Sequence, residues 1–187
     1  MMRGDKLVII DMQKVYEDGA PWGCEGFGDV CERIAYLIER GAFDDICFTR
    51  FVLPDAEQGS WRRYREKYMD IHTEPSYGEI TERLSPFARE YRTFDKAGYS
   101  AYRADGFAEW ARHADRLVVC GVIAECCVLA TVLEAADRGA DIIYLTEACA
   151  STSKGKLRMA DVILREDFAP HVTLMTTDDY LQRNKKD

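Results

Sequence analysis

The chain has 187 residues and a formal net charge of −8, with 47% apolar and 31% charged residues. That length suits one domain with a sizeable core, expected over residues 1–187, and the mix is that of a globular protein. The acidic balance argues against nucleic acid or an anionic membrane as partner, and no stretch nears the roughly 20 apolar residues of a membrane span.

The first apolar run, residues 7–10, is too short for a signal-peptide core and reads as a buried strand. Val30, Ile34, Leu37 and Ile38 then share one face of a helix that Gly41 closes. Residues 46–48 form a second strand. The segment 51–86 breaks the rhythm: it is polar and aromatic, with Trp61, Tyr64, Tyr68 and Ile71 at helical spacing. It reads as an excursion capping part of the sheet edge. A weaker strand at 92–94 follows, then a helix at 107–111 and a strand at 117–119. A helix at 126–138, a strand at 142–145, a helix at 157–165, a strand at 172–175 and a helix at 178–183 complete the order. Residues 184–187 read as a frayed tail. Strands alternating with helices predict an α/β fold: a three-layer, doubly wound, mainly parallel sheet of about six strands with helices on both faces. Ligands of such sheets bind beyond the strands' carboxyl ends.

The seven cysteines are an odd number, and with no export signal they read as free thiols in a reducing cytoplasm. There is no CxxC, and His72, His113 and His171 are far apart, so neither a metal site nor a cofactor is expected.

Three residues follow predicted strands directly. Asp11 ends the first, where a carboxylate sits at the mouth of the sheet or forms a turn. Lys96 follows the third, where it holds a thiolate or lies solvated at the surface. Beyond the fourth, the chain turns at Gly121 into the helix that carries Cys127 in its first turn. Free N–H groups and the positive end of the helix dipole lower a thiol pKa there and can hold an oxyanion. A buried cysteine packing as a small apolar residue fits the same run. In one parallel sheet these three side chains converge.

Three blocks carry a resemblance that spans nearly the whole chain in order: Leu7-Val8-Ile9-Ile10-Asp11-Met12-Gln13, Phe94-Asp95-Lys96-Ala97-Gly98-Tyr99-Ser100, and Cys120-Gly121-Val122-Ile123-Ala124-Glu125-Cys126-Cys127-Val128. Glu147-Ala148-Cys149-Ala150-Ser151 adds a fourth. The sequence resembles the isochorismatase-like cysteine hydrolase superfamily, which includes nicotinamidases and N-carbamoylsarcosine amidases. The resemblance implies that fold and a hydrolase of a small molecule, cleaving an amide-type C–N bond through a thioester with Asp11, Lys96 and Cys127 as triad. It selects Cys127 over Cys126, because the nucleophile stands six positions after the block's glycine, Gly121. It also implies a cis peptide at Val122-Ile123, an oxyanion hole from the Ile123 and Cys127 amides, and a homo-oligomer, dimer or tetramer.

Metal-binding nicotinamidases carry an Asp-x-His pair and a further histidine after the second strand. Residues 49–55 contain no histidine, so turnover without metal is expected. Tyr16, Trp61 and Tyr99 are candidates for the substrate pocket, each with ordinary packing as its alternative, and Arg62, Arg63 and Arg65 between Trp61, Tyr64 and Tyr68 belong to the solvated face of a helix or to a lid whose arginines meet a substrate carboxylate. Two other functions fit the resemblance: vinyl-ether hydrolysis of the isochorismate type, and an inactive scaffold or thiol sensor using Cys126 and Cys127.

Overall fold

The computed structural model describes residues 4–53 and 59–183. Residues 54–58 of the expected excursion and the expected tail at 184–187 lie outside the described residues. Six strands, β1 Lys6–Ile10, β2 Asp45–Phe51, β3 Arg92–Lys96, β4 Leu117–Gly121, β5 Ile142–Cys149 and β6 Val172–Met175, form one sheet in the order β3-β2-β1-β4-β5-β6. Every pairing is parallel. The central strands are apolar because both faces are covered: every residue of β1 and β4 is buried.

Strand order reverses at β1. From there β2 and β3 run out on one side, and β4, β5 and β6 on the other. Right-handed crossovers therefore send α1 (Phe27–Arg40) to one face, and α5 (Leu129–Asp137) and α6 (Lys154–Glu166) to the other. The last helix, α7 (Thr177–Arg183), packs with α1. The crevice above the β1/β4 boundary is the switch point at which such sheets bind ligands.

Gly121 sets that boundary. Its φ of +117° suits glycine, and a Cβ there would overlap the Ile10 carbonyl oxygen. No side chain fits between the ends of β1 and β4, so the two strands stay together up to the site. Instead of the single expected helix at 126–138, a π-helical turn, Ala124–Val128, leads into α5. Val128 N–H reaches back to the Ile123 carbonyl, which Cys126 N–H also uses. Such turns tend to sit at functional sites.

The excursion departs from expectation in its placement. Within the described part of the excursion, α3 (Ser85–Glu90) lies at the sheet edge, against β3. The longer α2 (Gly59–His72), bent at Tyr68, buries none of its residues fully and brings its aromatic face over the strand ends. Gln13 ties this region to the sheet. Its Oε1 accepts from Phe51 N–H at 2.8 Å, while Nε2 donates to the carbonyls of Phe51 and Gly78, each at 3.1 Å. Among the described residues no helix is long and apolar enough to cross a membrane.

Candidate active site

Asp11 follows β1 directly and takes a φ of +49°. This left-handed residue turns its side chain out of the strand's alternation, and Asp is among the few residues that tolerate it. Thr49 on β2 holds the turn. Its carbonyl and its Oγ1 each lie 3.2 Å from the Asp11 N–H, and its hydroxyl donates to Asp11 Oδ1 at 2.6 Å. The other oxygen, Oδ2, lies 2.7 Å from Lys96 Nζ as an ion pair.

Lys96 is the last residue of β3, two strands from β1. Its stem passes under the Phe51 ring, with Nζ 5.3 Å from the ring centroid, and Nζ donates to the Gly98 carbonyl at 2.9 Å and to Cys127 Sγ at 3.3 Å. Asp11 and Lys96 are fully buried and Cys127 is 5% exposed. The π-helical turn points Cys127 inward, and Thr131, one turn on, fixes it. The Thr131 hydroxyl donates to the Cys127 carbonyl at 2.7 Å and accepts from Ala101 N–H at 2.9 Å. The three predicted residues thus meet at one point.

The electrostatics correct one expectation. Burial pushes the Cys127 thiol well above its ordinary pKa, the Asp11 charge pushes it further, and Lys96 only partly opposes them. The loss of solvent works against the lowering that the helix start brings. For Lys96, burial pulls the pKa down, but Asp11 and Cys127 outweigh it and the net direction is up. Lys96 thus sits between the other two groups, 2.7 Å from Asp11 Oδ2 and 3.3 Å from Cys127 Sγ.

Above it lies a chamber of about 180 Å³. Six rings wall it: Tyr16, Trp22, Phe51, Tyr64, Tyr68 and Tyr99. Ile123, Cys126 and Cys127 form the rest. The peptide bond Val122-Ile123 is cis, and both residues expected to supply the oxyanion hole, Ile123 and Cys127, border the chamber. Of the expected pocket residues, Tyr16 and Tyr99 line it. Trp61 does not: it packs behind the wall, 5.5 Å from the Tyr99 ring and 5.2 Å from the Tyr64 ring. Cys126 lines the chamber too, but the contact with Lys96 belongs to Cys127. A larger groove of about 640 Å³ lies behind Tyr16, Trp22 and Phe51 and contains none of the three reactive side chains. Among the described residues no group of three or more Asp, Glu, His or Cys is placed to hold a metal ion.

Sequence reasoning misses Thr49, Thr131, Trp22 and Phe51. Thr131, four residues after Cys127, carries a helical signal. Thr49 and Phe51 reach the site only through strand pairing.

A family model for the isochorismatase domain matches residues 6–179. No curated protein matches the sequence. Among solved structures, a cysteine hydrolase from Pseudomonas syringae pv. phaseolicola 1448A superposes with a TM-score of 0.80 at 22% identity, covering 97% of this chain and 92% of that one. An isochorismatase-like hydrolase from Alkaliphilus metalliredigens gives 0.74 at 20% identity over 96% and 98% of the two chains. PnC1 from L. infantum, solved in complex with nicotinate, gives 0.73 at 19% identity over 94% and 93%.

Proposed function

The chain belongs to the isochorismatase family, and from that premise we propose that it is a cysteine hydrolase cleaving an amide-type C–N bond of a small molecule through a thioester on Cys127. The observation that carries this reading is the buried cluster itself: Lys96 Nζ lies 2.7 Å from Asp11 Oδ2 and donates to Cys127 Sγ at 3.3 Å, so a carboxyl group and a thiol share one cation. A carboxylate set beside a thiol in this way is placed to accept its proton.

Cys127 Sγ attacks the carbonyl carbon as Asp11 takes its proton. Lys96, held by Asp11 and Gly98, offsets the negative charge on sulfur as it forms. The Ile123 and Cys127 amides bind the oxyanion, each contributing about 3 kcal/mol of barrier lowering. Asp11 then returns its proton to the departing amine. Water, deprotonated by Asp11, cleaves the thioester and releases the acid and the thiol. An intact Cys127 favours this route over vinyl-ether hydrolysis, which does not need the nucleophile, and the complete triad speaks against an inactive scaffold. Turnover on this route uses no metal and survives chelation.

The test is a hydrolysis screen over amides, ureides and carbamoyl compounds with wild type and Cys127→Ala. Wild type should release amine and accumulate an acyl adduct on Cys127 detectable by intact mass, and Cys127→Ala should do neither. Equal turnover by both proteins would refute the proposal.

A further inference from the structure

Resting on the cysteine-hydrolase reading above, we infer that the chamber selects substrates whose acyl portion carries no charge and turns away those bearing a carboxylate. Among the described residues, no Lys, Arg, His, Asp or Glu side chain lines it. Six rings and an isoleucine surround the space where the acyl group sits next to Cys127. A carboxylate entering it loses water and meets no charged side chain in the wall; Lys96, below Cys127, is already paired with Asp11, so the transfer is strongly unfavourable.

Four nearby cations are paired with acids, Arg62 among them, with Glu66 at 3.2 Å. Lys96 lies under the Phe51 ring and is paired with Asp11 at 2.7 Å. Arg50 is held by Asp95 at 2.7 Å. Lys156 lies 3.7 Å from Glu125. Burial pushes the phenols of Tyr16, Tyr64 and Tyr99 upward, and the Cys127 thiol with them, the direction that loss of solvent gives any anion beside these groups. Only the oxyanion position, at the Ile123 and Cys127 amides, is built for an anion, and it takes one only in the transition state.

Size narrows the class further. A dry cavity of about 150 Å³ takes a benzene ring, so the space here, about 180 Å³, accepts one ring or its equivalent together with the reacting carbonyl. Tyr99 is the wall residue to change: it is 46% exposed, and its ring rests on Trp61, where an arginine can stack in its place.

Three benzamides of matched shape decide the question: 3-nitrobenzamide, 3-carbamoylbenzoate and 3-amidinobenzamide, which are neutral, anionic and cationic. Each is assayed for ammonia release, and as a competitor of iodoacetamide labelling at Cys127, so that binding is read even without turnover. The nitro compound should bind and turn over best. The carboxylate should fall by about 100-fold or more in kcat/KM or in protection, and the amidinium by about tenfold or more. Tyr99→Arg should narrow the nitro-to-carboxylate ratio by at least about tenfold. A carboxylate handled within about threefold of the nitro compound would overturn the inference, as would an amidinium that binds best. An unchanged ratio in Tyr99→Arg, or no member that binds, would overturn it as well. Hydrolysis that persists in Cys127→Ala would instead defeat the cysteine-hydrolase reading and leave the charge preference as a separate result.

Discussion

β1 carries a buried carboxylate at each end, and the two are built differently. At the lower end, Asp5 has both oxygens engaged: Arg116 donates to Oδ1 at 2.7 Å and to Oδ2 at 2.8 Å, and Tyr180 OH donates to Oδ2 at 2.9 Å. That cluster joins β1 to the start of β4 and to α7, and nothing in it lacks a partner. At the upper end, Asp11 has one oxygen held by the Thr49 hydroxyl and the other in an ion pair with Lys96, which also donates to Cys127 Sγ. The same residue type is a clamp at one end of the strand and, at the other, the partner of the lysine that touches Cys127. On the proposed mechanism only the second is a reactive group.

Several substitutions break this contrast. The largest effect belongs to Cys127→Ala, which should lower turnover by at least about 10,000-fold while leaving the melting temperature close to wild type. A stopped assay on any substrate from the screen, together with a thermal melt, checks both halves.

Asp11→Asn should cost about 100- to 10,000-fold in kcat, the usual range for a positioned acid–base group. Asp5→Asn is its mirror image: full kcat, with stability lowered by about 2–3 kcal/mol. That figure is below the range for a fully buried pair because Arg116 is partly exposed. Urea melts and kcat measured on the same two variants should give opposite profiles. Loss of activity in both would dissolve the distinction between clamp and reactive group.

A third consequence concerns pH. Burial pushes Cys24, Cys31 and Cys149 up to about 12, and Cys47, Cys120 and Cys127 well above their ordinary value of 9.0. A thiol whose pKa is raised in the folded state stabilises the fold fully below its unfolded pKa and loses that contribution as pH climbs through the folded value. Stability should therefore be insensitive to these thiols below about pH 9 and fall between about pH 9 and 12. Melting temperatures across this window check the sign, and a rise would contradict it. The smallest effect should come from Cys126→Ala: activity within a few-fold of wild type and a packing loss of about 1 kcal/mol.

Much of the fold and the reactive centre is legible in the amino-acid sequence. The apolar runs at β1, β2, β4 and β5 declare a parallel sheet because strands covered on both faces leave no polar alternation. Asp11, Lys96 and Cys127 stand out because each lies at or just past a strand end, where a parallel sheet gathers its side chains. The supports do not stand out. Thr49 meets Asp11 only because β2 pairs with β1 in one particular register, and sequence spacing carries no trace of that pairing. The roof is half legible: the periodicity of Tyr64 and Tyr68 announces a helix face, but not that the helix bends at Tyr68 and meets Trp22 from a distant loop. Trp61 belongs to the same pattern and still falls behind the wall. The Cys127 pKa moves opposite to the direction its helix position suggests, for a physical reason: a helix start is local and visible in sequence, while desolvation depends on everything packed around the sulfur.

Whether Asp11 takes the Cys127 proton is tested most directly by the rate of iodoacetamide labelling at Cys127, mapped by peptide mass spectrometry. Were Asp11 only a negative charge near the sulfur, Asp11→Asn would relieve the upward push on the thiol and speed labelling. If Asp11 is the proton acceptor, the same substitution should slow labelling by about tenfold or more, with Asp5→Asn unchanged. Faster labelling in Asp11→Asn, or labelling centred on Cys126, would contradict the account.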